Sequence, residues 1–139
     1  MANNTPGSKP FELDTTWDEL GWNDLGGGIM SSKFILGDPG DPESPVVFNT
    51  FFPAGFRLEP HHHSCDYAEI ILEGEQEVTG KMHYPGTVRV VHGGRGYGPL
   101  IAGPTGVHVI VMMRNQSFET HFGGSARAVV AEQTAGQNV

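Results

Sequence analysis

The apolar residues of this chain come in runs too short to build a helical core. They are Val46 to Phe48, Ile70 to Leu72, Val88 to Val91 and Val107 to Met113. These runs are rich in β-branched residues and are separated by turn formers: the chain carries 20 glycines and 10 prolines. Short β-branched runs punctuated in this way predict an all-β sandwich or barrel. A chain of 139 residues suits one domain, which buries about two-thirds of its unfolded surface. No apolar stretch is long enough to span a bilayer as a helix.

The order of segments is readable from turn chemistry. Residues 1–10 read as a polar tail, residues 11–133 as the β domain and residues 134–139 as a second tail. Phe11, Leu13, Trp17 and Trp22 alternate with acids and predict an outer strand or turn packed on the barrel. Gly26 to Gly28 form a turn or bulge, since no GK[ST] follows to make a phosphate loop. Ile29 to Leu36 predict a strand, and the Pro-rich stretch from Gly37 to Pro45 a loop. Gly80 and Lys81 read as the two-residue turn of a hairpin. Gly103 to Gly106 read as another turn, ahead of a strand from Val107 to Met113 that is apolar at both parities, as in a strand covered on both faces. Residues 126–131 predict a short strand or a single turn.

Three consecutive histidines, His61, His62 and His63, follow Pro60. Side chains alternate along a strand, so His61 and His63 share one face and His62 takes the other. Two neutral imidazoles on one face suit a shared divalent transition metal: Fe, Zn, Mn, Ni or Cu. A polar turn follows. If the strand resumes with Tyr67 inward, Glu69 and Ile71 point inward too, and Ala68, Ile70 and Leu72 form an outer apolar row. A carboxylate inside a barrel is costly unless paired or ligated. Glu69 is therefore a candidate metal ligand or general base, with Tyr67 the alternative ligand. Cys65 is the single cysteine, so there is no internal disulfide, and it reads as a small turn residue.

These residues resemble the cupins. Their first motif, G(x)5HxH(x)3-4E(x)6G, is met in frame by Gly55, His61, His63 and Gly74, with Tyr67 at the acid position. Their second motif, G(x)5PxG(x)2H(x)3N, starts here at Gly86. It places His92 at the Pro position, Gly94 at the Gly, Tyr97 at the ligand His and Ile101 at the Asn. The resemblance covers roughly residues 46–113. It implies a double-stranded β-helix, or jelly-roll barrel, with its site inside. It also implies site roles for Tyr67 and Tyr97, as phenolate ligands or as acids and bases. His92 and His108 could supply the missing nitrogen. Arg57, Phe51 and Met112 are further candidates for the cavity wall, and Arg57 or Arg89 for binding a substrate oxygen.

Two His plus Glu resembles a facial triad with open positions, the arrangement suited to Fe(II) and O₂. Resemblance to small cupin dioxygenases makes a non-heme dioxygenase acting on a small oxygenated organic substrate the leading expectation. A redox-neutral lyase, isomerase or cyclase is the alternative, and a non-catalytic ligand-binding or sensing cupin the third. The net charge of −8 disfavours nucleic acid and anionic membranes as partners. The expected partners are a small-molecule substrate and a second copy of the chain, since cupins commonly pair. The N-terminus has no apolar signal core, which predicts a cytoplasmic protein.

Overall fold

The computed structural model describes residues 12–123. The expected tails, residue 11 and residues 124–133 lie outside the described residues. The elements are a single helical turn α1 (Trp17–Leu20) and strands β1 (Asn23–Asp24), β2 (Met30–Ile35), β3 (Val46–Phe52), β4 (Arg57–Leu58), β5 (His61–His63), β6 (Tyr67–Val78), β7 (Lys81–His83), β8 (Val88–Val91), β9 (Leu100–Met113) and β10 (Thr120–Phe122). The architecture is all-β, and every strand pair is antiparallel. No described helix is long and apolar enough to cross a membrane.

One large sheet runs β1-β2-β3-β9-β6-β7, with β4 also on β9 and β8 also on β6. A small sheet pairs β5 with β10. An isolated bridge between His61 and Tyr97 ties the small sheet to the segment that leads into β9. Alternation decides which residues fill the space between. Val46, Phe48, Thr50 and Phe52 of β3 are buried, as are Val107, Val109 and Met113 of β9 and Tyr67, Glu69 and Ile71 of β6. The parity expected for β6 therefore holds. Its outward row, Ala68, Ile70 and Leu72, lies beside Val88 and Val90 of β8 and Met112 of β9.

Three local expectations are corrected. The hairpin turn is Thr79-Gly80, one residue earlier than read from sequence, with Val78 opposite Lys81. Both turn residues have positive φ, 51° and 81°, as a hairpin turn of the right twist requires. The Thr79 side chain earns its place by accepting the Gly98 N–H at 2.9 Å. Residues 103–106 do not end a strand: they lie within β9 as a bulge, since β6 advances only from Gly74 to Gln76 while β9 runs from Val107 to Ala102, and a smaller shift between Ile71 and Glu73 puts one extra residue in β6. The first tryptophan segment is a helical turn, capped by Thr16 Oγ1 accepting from Glu19 N–H. It lays Trp17 on Phe34 and leads to Trp22 on His108, with ring centroids 5.7 and 6.3 Å apart.

Candidate functional site

The small sheet presents the histidines. Pro60 cannot donate to a ladder, so β5 is short. Beyond it Ser64 turns the chain, its N–H donating to Glu119 O at 3.0 Å and its Oγ accepting from Glu119 N–H at 2.8 Å. His61 and His63 are 3% and 5% exposed. His62 points the other way and stacks on His121. The sequence-predicted split of the triplet is thus the observed one.

Both buried rings are held by one nitrogen. His61 Nδ1 lies 2.8 Å from Glu59 O. A carbonyl only accepts, so Nδ1 carries the proton and Nε2 keeps its lone pair. His63 Nδ1 sits 3.0 Å from Thr120 Oγ1, which again leaves Nε2. Burial lowers both pKa values, and the His61 charge adds to the effect on His63, which falls to about 3. Two neutral imidazoles, each oriented through the far nitrogen, form the donor pair a divalent metal takes.

Two tyrosines close around them. Ring centroids are 5.1 Å apart for His61 and His63, 4.6 Å for His61 and Tyr97, 5.0 Å for His63 and Tyr67, and 6.2 Å for Tyr67 and Tyr97. Burial drives both phenol pKa values up, and Tyr67 and Glu69 raise Tyr97 further. Both are therefore neutral phenols at neutral pH. Gln76 Oε1 is buried with no hydrogen-bond partner among the described residues, and the buried Tyr67 Oη has only the neighbouring Tyr97 and Arg89 to turn to.

Glu69 is buried among the same elements but is engaged elsewhere. Its Oε1 accepts from Arg89 Nη1 and from Gln76 Nε2, both at 2.7 Å. Burial opposes the Arg89 charge; the neighbouring Glu69 more than offsets this, and the Arg89 pKa is raised. The Arg89 guanidinium also lies over the Tyr97 ring, 4.7 Å from its centroid. Among the described residues no three His, Cys, Asp or Glu side chains are grouped as a metal site. Glu69 thus faces Arg89 and Gln76, while His61 and His63 face the tyrosines. The donors that could hold a metal are the two Nε2 atoms, with the rings of Tyr67 and Tyr97 packed beside them.

The remaining candidates divide by face. His108, Phe51 and Met112 do not line the interior. They lie on the outer face of the large sheet, where Phe51 and Trp22 pack on His108 and His108 Nε2 meets Asn49 Oδ1. The parity of β9 decides this, since Val107, Val109 and Met113 take the inner face. Arg57 is exposed and pairs with Glu59 at 2.7 Å. His92 is exposed and stands 3.7 Å from Asp66, at the rim of a cleft described below. Sequence reasoning left Arg89 open between the surface and the site, and passed over Gln76. The signal for Arg89 was its parity with the buried Val91 in β8. Gln76 faces inward only because of the β6 irregularities, which the sequence does not announce.

No protein-family model matches this chain, and no curated protein matches it. Solved structures do. One is an RmlC-like cupin from Shewanella frigidimarina, 20% identical, with a TM-score of 0.61 over 74% of this chain and 90% of that one. Another is an RmlC-like cupin from Ralstonia eutropha, 11% identical, TM-score 0.62, over 86% and 80%. A third is the polyketide cyclase RemF from Streptomyces resistomycificus, 14% identical, TM-score 0.61, over 74% and 79%. At these identities the likeness is one of fold, and it agrees with the strand order, the inward histidine pair and the motif glycines of the chain itself: this protein has the cupin fold, a jelly-roll β-barrel.

Proposed function

We propose that the protein is a metal-dependent enzyme that moves a proton on a small oxygenated organic substrate without net oxidation, as a lyase, isomerase or cyclase does. The observation that carries this reading is the engagement of Glu69 by Arg89 and Gln76, beside two neutral phenols packed on the histidine pair. His61 and His63 would hold the metal, which supplies Lewis-acid polarisation of a substrate oxygen. Tyr97 and Tyr67, kept protonated by burial, donate hydrogen bonds to an oxygen on which negative charge develops. Glu69 Oε1 takes both hydrogen bonds, so Oε2 is the carboxylate oxygen offered to a substrate proton. Arg89 holds that carboxylate in place. That one of the similar structures is a polyketide cyclase supports this reading.

Oxygenation is the second reading, and one observation favours it: two imidazoles fill few coordination positions, which leaves room for a substrate and O₂. One experiment separates the readings. The protein, loaded in turn with Fe(II), Mn(II), Ni(II), Cu(II) or Zn(II), is given a panel of small carbonyl compounds in D₂O under air. Deuterium incorporation or elimination without oxygen uptake is expected. Oxygen uptake coupled to turnover selects the dioxygenase, and neither signal selects a binding or sensing protein. We also propose that the protein acts as a homodimer, joined through the outward apolar row of β6 and β8.

A further inference from the structure

The segment that carries Tyr97 also forms one side of an open cleft of about 590 Å³, a size typical of small-ligand sites. Its walls are the apolar Val78, Val90 and Val91 and the ring of Tyr97, and its charged groups are Arg89 and Arg95, with His92 at the rim. No carboxylate among the described residues lines it, on a chain whose net charge is −8. The charges of the two arginines differ in status. Arg89 is committed to Glu69 at 2.7 Å and to the Tyr97 face. Arg95 makes no ion pair with any described residue. His92, on the third side, is turned to Asp66 at 3.7 Å. Asp66 also accepts the Gly93 N–H at 2.8 Å, and its other oxygen is 3.6 Å from Arg114 Nη1. The nearest acid of this loop is thus already shared among three donors.

We infer that this cleft binds a small organic carboxylate with an apolar body: Arg95 takes the carboxylate, the valines take the body, and Tyr97 meets the end that reacts. An uncompensated guanidinium beside an apolar wall selects for a ligand that joins an anion to a hydrocarbon surface. Arg's planar fork matches a carboxylate with two parallel hydrogen bonds. Tyr97 links the two regions, since its ring touches His61 on one side and lines the cleft on the other. The inference rests on the proposed function in one respect, that Tyr97 and the histidine pair face the substrate; the binding itself needs no metal.

Benzoate is a direct probe, benzamide its neutral twin, and inorganic phosphate an anion without an apolar body. Each is titrated into the full chain, metal-free and Zn-loaded, and followed by the NMR signals of the arginine side chains and valine methyls. Benzoate is expected to bind saturably in both forms, shifting Arg95 and the valines. Benzamide and phosphate are expected to bind at least about tenfold more weakly, the scale of one charge-assisted hydrogen bond. Arg95→Gln, at an exposed position that does not threaten folding, is expected to weaken benzoate about tenfold. Equal binding of benzoate and benzamide overturns the inference, because the cleft is then merely apolar. Equal binding of phosphate overturns it as well, because the arginines are then an unselective charge patch. So does benzoate binding that is lost in His61→Ala/His63→Ala and kept in Arg95→Gln, since the anion then sits on the metal. Benzoate binding without turnover of any carbonyl substrate defeats the enzyme reading and leaves the cleft. Turnover of neutral substrates without benzoate binding does the reverse.

Discussion

A neutral histidine buried in a barrel couples folding to pH. The unfolded state binds a proton at His63 below its ordinary pKa of 6.5, while the folded state resists until about 3. Between those values the unfolded state holds more protons, so stability falls as pH falls, and above 6.5 this group contributes no slope. The metal-free protein is expected to lose about 2 kcal/mol from His63 between pH 6.5 and 5. Urea midpoints across that range check it, and His63→Gln should flatten the slope. His61→Ala with His63→Ala should leave a folded β protein without bound metal, as elemental analysis and far-UV circular dichroism would show. Tyr97→Phe should keep the metal and the fold but slow turnover by about 10²–10⁴-fold if the hydroxyl acts as an acid. The Arg89–Glu69 pair has the signature of a buried ion pair. Arg89→Met alone should cost about 3–5 kcal/mol by leaving Glu69 uncompensated, and adding Glu69→Met should recover much of it. Chemical denaturation of the single and double variants decides this.

At the scale of elements, the two glycines of the first motif serve different ends. A Cβ on Gly74, at φ 75°, would lie 2.1 Å from the Gly106 carbonyl oxygen, so β6 and β9 approach too closely there for any side chain. Gly55, at φ 73°, meets nothing within 4 Å. Gly55→Ala should therefore cost only the backbone strain of about 1–2 kcal/mol. Gly74→Ala should cost about 3 kcal/mol or more, since backbone must move as well. Thermal melts of the two variants test the difference. Both glycines could be found from their spacing, but only the structure separates their reasons. The same division runs through the rest of the chain. Alternation alone placed His61, His63, Tyr67 and Glu69 inward, because period two is strict wherever one face is buried. It failed at residues 103–106, where Gly and Pro suggested a turn and the chain instead makes a bulge inside β9, opposite Glu75. It failed again for Gln76, because a register shift changes parity without a sequence mark. The partners of Glu69 were out of reach because Arg89 and Gln76 come from long-range pairing, which period two does not encode. His108 and Met112 were misplaced for a simpler reason: histidine and methionine fit either face, and only the pairing of β9 with β3 and β6 fixes which.

For the whole molecule, the outer face of the large sheet remains to be covered. Val88 and Val90 are 59% and 71% exposed, Leu72 45% and Met112 37%, and they adjoin Ala68 and Ile70 across β8, β6 and β9. A contiguous apolar patch of this kind is what the proposed dimer would cover. Light scattering should show a dimer at micromolar concentration, and Val88→Asp, outside the cleft, should yield a folded monomer. The small sheet is tied to the segment before β9 by backbone hydrogen bonds, among them Gly94 N–H to His63 O at 2.8 Å. His61 N–H donates to Tyr97 O and Tyr97 N–H to His61 O, both at 3.0 Å. This joint binds the strand of the metal pair to the segment that walls the cleft. Free energy admitted at one end is therefore returned at the other. If an anion in the cleft steadies this joint, it must tighten zinc by the same factor by which zinc tightens the anion, on the order of fivefold or more. Paired titrations, zinc with and without benzoate and benzoate with and without zinc, would give two numbers that reciprocity requires to be one.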